Sequence, residues 1–305
     1  MNYIKVSEAA EKWGLSPRRV RLLCSQNRID GVVQNGKLYM IPENAPKPID
    51  ARTLKGIEIS DELSPLLHKV EALKAELDSK RPLTAGEAER LREQFMVNFT
   101  YNSNAIEGNT LTLQETSMVL EGMTIDQKPL KDHLEAVGHR DAFLYVEDIA
   151  KDTKLSETII KNIHSLVLLN RPEDKGTFRR IPVTISGSYT EPVQPYMIEP
   201  EMTKLLSNNE KRKKNLHPIE RIARFHLEFE GIHPFIDGNG RTGRLLLNLD
   251  LIQNGYPAIN VKFTDRKKYY AAFDEFYRNN NAEMMITLVA DYVIERLEQY
   301  LEILD

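Results

Sequence analysis

The segment GIHPFIDGNGRTGR, residues 231–244, places one His, one Asp, one Asn, two Arg and four Gly in fourteen positions and then enters the apolar run LLLNLDLI. Few folds can hold it. The preceding ERIARFHLEFE reads as a helix that must stop between Gly231 and Pro234, and RTGRLLLNLDLI as a second helix whose Leu245, Leu246, Leu249 and Ile252 face a core. The glycines between them let backbone approach a ligand closely. The second helix opens there, with unpaired N–H groups at the positive end of its dipole. Such an end is an anion site, and phosphate fits it. Arg241 and Arg244, three apart, share a face of the first turn and can grip different phosphates of a polyphosphate chain. Asp237 offers a carboxylate of the kind Mg2+ takes together with phosphate oxygens, and His233 at the junction suits a base near neutral pH. A loop of this kind can activate a hydroxyl beside a nucleotide.

The rest of the chain bounds that reading. A length of 305 residues allows about two domains, and 41% hydrophobic with 28% charged residues can build a substantial core. The opening MNYIKVSEAAEKWG lacks the layout of a signal peptide, and no apolar run approaches a bilayer span. The expectation is a cytoplasmic protein without membrane contact. Cys24 is the single cysteine, which excludes an internal disulfide and a thiolate metal cluster within one chain. A net charge of −4 argues against wholesale nucleic-acid binding.

Residues 1–46 differ in character from the remainder of the chain. VSEAAEKWGLSPRRVRLLCSQNRI reads as two short helices, with Ser7 as cap and Gly14 as end of the first, and Ser16-Pro17 opening the second. Asn35-Gly36 between β-formers signals a two-residue hairpin. Helix, turn, helix and wing resemble the winged helix-turn-helix modules of excisionase and MerR-type DNA-binding proteins. Arg18, Arg19 and Arg21 open the second helix as candidate contacts to duplex DNA, and residues 1–50 carry eight Lys and Arg against five Asp and Glu. The alternative is a small module for protein contact. Residues 47–80 read as a linker and connecting helix. From 81 to 305 the chain is mainly α, with capping boxes at Thr84/Glu87 and Thr112/Glu115 and helices expected near 84–106, 130–151, 156–169, 200–208, 217–230, 241–254, 266–279 and 282–304. FRRIPVTISGSYTEPVQPY alternates and is β-branched, which predicts a short hairpin. The amphipathic tail at 282–304 is a candidate surface for a second subunit.

HPFIDGNGRTGR resembles the Fic family signature, HPFx(D/E)GNGRxxR, at every defined position, and the likeness extends over residues 81–280. The resemblance implies a helical Fic domain that transfers AMP from ATP to a hydroxyl (Tyr, Ser or Thr) of a target protein and releases pyrophosphate. It implies His233 as base, Asp237 as the Mg2+ ligand, Gly238, Asn239, Gly240 and Arg241 around the α- and β-phosphates, Thr242 and Gly243 as further ATP-binding residues, and Arg244 on the γ-phosphate. Val183, Thr184, Ile185 and Ser186 match a hairpin flap that pairs with the target and borders ATP. Tyr269 and Tyr270 match an adenine-side pair. The DGNGRTGR form is that of AMP transfer, not of the related Doc kinases, although phosphocholine transfer and uridylylation occur in the family.

A second stretch, SNAIEGN at 103–109, resembles the family's inhibitory helix (S/T)xxxE(G/N). Ser103 and Glu107, four apart, share a helix face that Gly108 can close. The resemblance implies that Glu107 engages Arg244 and blocks the γ-phosphate. The modified proteins then include the chain itself, and removal of AMP by the same site stays open. The competing reading is a DNA-binding transcriptional regulator whose Fic domain senses nucleotide.

Overall fold

The computed structural model of the chain describes residues 3–25, 29, 31–35, 38–45, 63–185 and 191–304. At the front, β1 (Tyr3–Lys5), α1 (Val6–Trp13), α2 (Pro17–Ser25), β2 (Val33–Asn35) and β3 (Leu38–Pro42) form an antiparallel sheet of order β1-β3-β2 with two helices. The register pairs Ile4 with Ile41 and Gln34 with Tyr39. Alternation along β3 sends Ile41 and Tyr39 to the helix side, where they meet Ala9, Trp13, Val20 and Leu23.

Two local expectations are corrected here. Ser7 is not the cap of α1 but lies inside it: β1 runs straight into the helix, and the Glu8 carboxylate accepts the Lys5 N–H at 2.8 Å. Asn35 is not a turn residue but the last rung of the ladder, paired with Leu38, because the inward Ile41 fixes the register. The intervening residues 36 and 37 lie outside the described residues. Gly14 does end α1, at φ 62. The sequence pattern gave no sign of β1.

The remainder is helical: α3 (Ser64–Ser79), α4 (Ala85–Ile106), α5 (Leu113–Leu120), α6 (Leu130–Ile149), α7 (Glu157–Val167), α8 (Ile198–Arg212), α9 (Pro218–Ile232), α10 (Asn239–Gln253), α11 (Arg266–Asn279) and α12 (Glu283–Leu304). Both expected capping boxes form, Thr84 with Glu87 and Thr112 with Glu115. From Asn239 to Leu251, every residue of α10 except Gly240 is buried. Its Leu247 and Leu251 join a core with α3, α9, α11 and α12, while Leu245, Leu246 and Leu249 join a second core with α4, α6, α7 and α8. A helix buried all round belongs between two layers. Arg221 of α9 and Asp250 of α10 form a buried two-bond pair at 2.5 and 2.7 Å that fixes how these helices lie together.

Three further differences arise from packing. Helix α3, read as part of a connecting segment, buries Leu63, Leu67 and Val70 in the first core and packs along α12. The apolar face of α12, read as a surface for a second subunit, is covered by α3, α9 and α11. The hairpin expected over residues 178–196 has no strand among its described residues, and Ser186 lies outside them. Its backbone is held differently: the Arg179 N–H donates to the Pro234 carbonyl at 3.0 Å, and the Arg179 guanidinium to Ile181 O at 3.0 Å and Val193 O at 2.5 Å. No helix among the described residues is long and apolar enough to cross a membrane.

Helices α6 and α7 meet at Gly138, where an added Cβ would strike the Leu166 carbonyl and come within 3.1 Å of Leu169 Cγ. Gly138→Ala is expected to destabilise the fold by about 1–3 kcal/mol, read as a lowered urea midpoint at unchanged m-value.

Candidate active site

Helix α9 ends at Ile232, and its cap His233, the residue before Pro234, sits in the left-handed region at φ 50. A side chain in that conformation is strained by about 1 kcal/mol or more and needs support. Arg179, 5% exposed, supplies it by donating to the carbonyls of His233 at 2.8 Å and Ile232 at 3.4 Å. Beyond the turn, the Asn239 side chain accepts from Phe235 N and donates to Phe235 O, both at 2.9 Å. His164 stacks on the Phe235 ring at 3.6 Å between centroids. Its Nδ1 accepts from Gly176 N at 2.9 Å, so Nε2–H donates to the Asp237 carbonyl at 3.0 Å.

Gly238, at φ 76, then starts α10 at Asn239, two residues before the expected 241. The first bond of the helix runs from Thr242 N to Gly238 O, so the N–H groups of Asn239, Gly240 and Arg241 precede the ladder. Burial pushes the Asp237 carboxyl up, but Arg241 and the Gly238 N–H outweigh it and hold the group below its usual range. Arg241, 1% exposed, lies 3.3 Å from Asp237 Oδ1 and 3.1 Å from Glu135 Oε1. Arg244, 2% exposed, donates to Ser103 Oγ at 2.9 Å, Ser103 O at 2.7 Å and Glu107 Oε1 at 2.8 Å. Glu107 caps the C-terminus of α4, and Gly108, at φ 93, turns the chain away. The Glu107 carboxylate fills the space where a Cβ on residue 240 would stand.

A cavity of about 470 Å³ opens onto this helix end, lined by Glu107, Glu230, His233, Gly240, Arg244 and, from α11, Tyr270. Burial lowers His233 to about 4, leaving it a neutral imidazole at physiological pH. Tyr269 also borders the cavity but is otherwise buried, its hydroxyl 2.7 Å from His226 Nε2. Ile185 reaches the lining, while Val183 is half-buried and Thr184 exposed.

The structure thus brings His233, Gly240, Arg244, Glu107, Ile185, Tyr269 and Tyr270 around one cavity. Other motif side chains lie off the cavity lining: Asn239 is spent on the Phe235 backbone, Thr242 is wholly buried, and Arg241 is buried between Glu135 and Asp237. Sequence reasoning missed His164, Arg179, Glu135 and Glu230, which reach the loop from positions with no local signature. The periodicity of α6, α7 and α9 only marked such residues as helical.

Residues 154–251 match the profile of the Fic/DOC family. The chain belongs to this family. It is 33% identical over 288 residues to the protein adenylyltransferase Fic of Nematostella vectensis, covering 88% of this chain and 64% of that one. It is 32% identical over 235 residues to the protein of the same name from Drosophila melanogaster, covering 74% and 47%. The chain therefore spans about half to just under two thirds of the length of these curated relatives. Among solved structures, C. elegans Fic-1 superposes with a TM-score of 0.70 at 29% identity, covering 80% of this chain and 72% of that one. A Fic domain-containing signaling protein of Bacteroides thetaiotaomicron gives 0.69 at 28% identity, covering 77% and 97%.

The Fic domain buries neutral histidines beside the site, among them His164 and His226. Burial lowers His164 to about 4 and His226 to about 3, against an ordinary 6.5. As pH falls below 6.5 the unfolded chain takes up protons that the folded chain refuses, so stability present above 6.5 is lost toward pH 4. At pH 5 the loss is about 2 kcal/mol for each histidine. Melting temperature is expected to drop between pH 7 and pH 5, and His164→Gln, less stable at pH 7, to show the flatter dependence.

Proposed function

We propose that this chain is a protein adenylyltransferase that moves AMP from ATP to a hydroxyl of a protein target, held back by its own Glu107. The observation that carries the reading is a neutral imidazole and a buried guanidinium facing one cavity at a helix N-terminus, with a carboxylate already on the guanidinium. The N–H groups of Asn239, Gly240 and Arg241 and the dipole of α10 attract the phosphates, and Arg241 adds charge behind them. Arg244 is the natural partner of the γ-phosphate once Glu107 leaves. Tyr269 and Tyr270 border the adenine, and residues 183–185 border the target. His233, neutral and at the cavity wall, takes the proton of the target hydroxyl, whose oxygen attacks the α-phosphorus as pyrophosphate departs.

No group of three or more His, Cys, Asp or Glu among the described residues can hold a metal by itself. Asp237, ionised beside the helix end, still suits Mg2+, which completes its shell with phosphate oxygens and water. When bound, the ion would neutralise phosphate charge and favour pyrophosphate as leaving group.

The front module supports a second element of the reading. Arg18 and Arg21 are exposed on α2, as a phosphate-contacting helix requires; the Arg19 side chain lies outside the described residues. If the module docks on duplex DNA, affinity should fall steeply with salt and weaken in Arg18→Ala with Arg21→Ala. A gel shift with no retained DNA at low salt leaves protein contact as its role.

Transfer of labelled AMP from ATP tests the enzyme. Glu107→Gly should raise self-modification on the order of ten- to a hundredfold, a coupling of roughly 1–3 kcal/mol. His233→Ala in that background should abolish transfer, and Arg244→Ala should not be rescued by it. A parent as fast as Glu107→Gly would refute inhibition, and no transfer by either would favour a nucleotide-sensing regulator. Release of AMP from the modified protein, followed in the same assay, tests whether Glu107 also directs a water.

A further inference from the structure

Glu230 lies one turn before His233 on α9 and is 9% exposed. A carboxyl so placed needs hydrogen-bond partners, yet its Oε1 has none. Across the turn, His233 Nδ1 is also buried without a hydrogen bond, 3.8 Å from Glu230 Oε2. Gly243 keeps the slot open, because a Cβ there would strike Glu230 Oε1 and come within 3.0 Å of the His226 ring. The carboxyl thus has one unpaired oxygen over Gly243 and the other 3.8 Å from an unpaired imidazole nitrogen, which marks an interaction completed during function.

We infer that Glu230 is the positioning residue of the base: its carboxyl receives Nδ1–H of His233, which leaves Nε2 free toward the cavity and gives the protonated ring a partner. The inference rests on His233 being the base of AMP transfer. In that step the hydroxyl proton goes to Nε2, the target oxygen bonds to the α-phosphorus, and the bond from that phosphorus to pyrophosphate breaks. The charge left on the imidazole is then stabilised along Nδ1–H. Closing 3.8 Å to hydrogen-bond distance takes a side-chain movement of about 1 Å.

Burial raises Glu230 to about 8, with the Glu107 charge adding to the rise and Arg244 opposing it. At pH 7 the partner is therefore an uncharged carboxyl, which becomes a carboxylate just above. The charged and titratable groups facing the pair are Glu107 from α4, Arg244 from α10, His226 from α9, Tyr269 and Tyr277 from α11, and Arg179 and Asp237 from the loops. The backbone carbonyl of Glu230 also neighbours the imidazole, and it survives any side-chain change.

The test uses the full chain in the Glu107→Gly background, with Glu230→Gln and Glu230→Ala, from pH 6 to 9. Glu230→Gln keeps an acceptor and should transfer AMP within about threefold of its background at pH 7. It should lack the rate gain that the background shows as the carboxyl ionises. Glu230→Ala should lose kcat by about tenfold or more while KM for ATP stays within about twofold. In 15N-histidine NMR, with His233 assigned by its loss in His233→Ala, the Nδ1–H tautomer should persist in Glu230→Gln and shift toward Nε2–H in Glu230→Ala. Identical pH profiles and tautomers in all three proteins would overturn the inference and leave the backbone carbonyl as the acceptor. A background that transfers no AMP refutes the enzyme reading instead, and the tautomers then decide the role of Glu230 alone.

Discussion

Arg244 is a guanidinium almost wholly removed from water, and the site is arranged around keeping it paired. Removing one partner of a buried charge costs about 3–5 kcal/mol, because the charge left behind has no solvent to turn to. Here the partners come from the end of α4: the Ser103 hydroxyl, the Ser103 carbonyl and the Glu107 carboxylate. Burial pushes the guanidinium pKa down, but Glu107 and Tyr269 more than restore it, so the group stays charged. A single ion thereby locks α4 onto α10 and sets the electrostatic character of the cavity. Any anion that enters meets a positive helix end whose strongest cation already has a carboxylate on it.

Support for this arrangement comes from neutral groups. His164, uncharged because it is buried, can accept from one backbone and donate to another at once, and a protonated ring could only donate. Asn239 likewise spends both ends of its amide on Phe235. Arg179 is the exception, a buried cation satisfied by carbonyls, and it ties His233 to Ile181 and Val193. The left-handed turn at His233 and the loop after it are thus held by Asn239 within the motif and by two distant residues, His164 and Arg179. That explains why the motif alone, lifted into another context, would not hold its base in this position.

How much was legible in the sequence depends on the range of the forces involved. Capping boxes at Thr84 and Thr112, the glycine end of α1 and the helix periods are local, and they appear as read. The loop from His233 to Arg244 announced itself because glycine, proline and charge occur together in one short window. Ser7 and Asn35 misled because capping and turn preferences are weak beside strand pairing: β1, three residues long, runs into α1 ahead of Ser7, and the β2–β3 ladder takes up Asn35. The described residues of the segment at 178–196 form no strand because β-branched alternation measures only fitness for a sheet, while Arg179 offered its carbonyls another partner. Glu135, His164 and Glu230 were illegible since their meaning lies in which loop they reach across the fold.

The two partners of Arg244 differ in a way that bears on control. Ser103 is wholly buried and belongs to the body of α4, whereas the Glu107 side chain is 33% exposed and sits at the last turn. A carboxylate at a helix C-terminus is disfavoured by the dipole of its own helix, so α4 alone gives no reason for a Glu there. Its stabilisation comes from Arg244 and from the N-terminus of α10, over which the carboxylate lies. Both are the groups a nucleotide phosphate would claim. Ser103 keeps Arg244 in place whichever anion is present, while Glu107 is held only by what the ligand would take from it. Exchange of one anion for another then requires movement of a half-exposed side chain at a helix end, with no separation of α4 from α10.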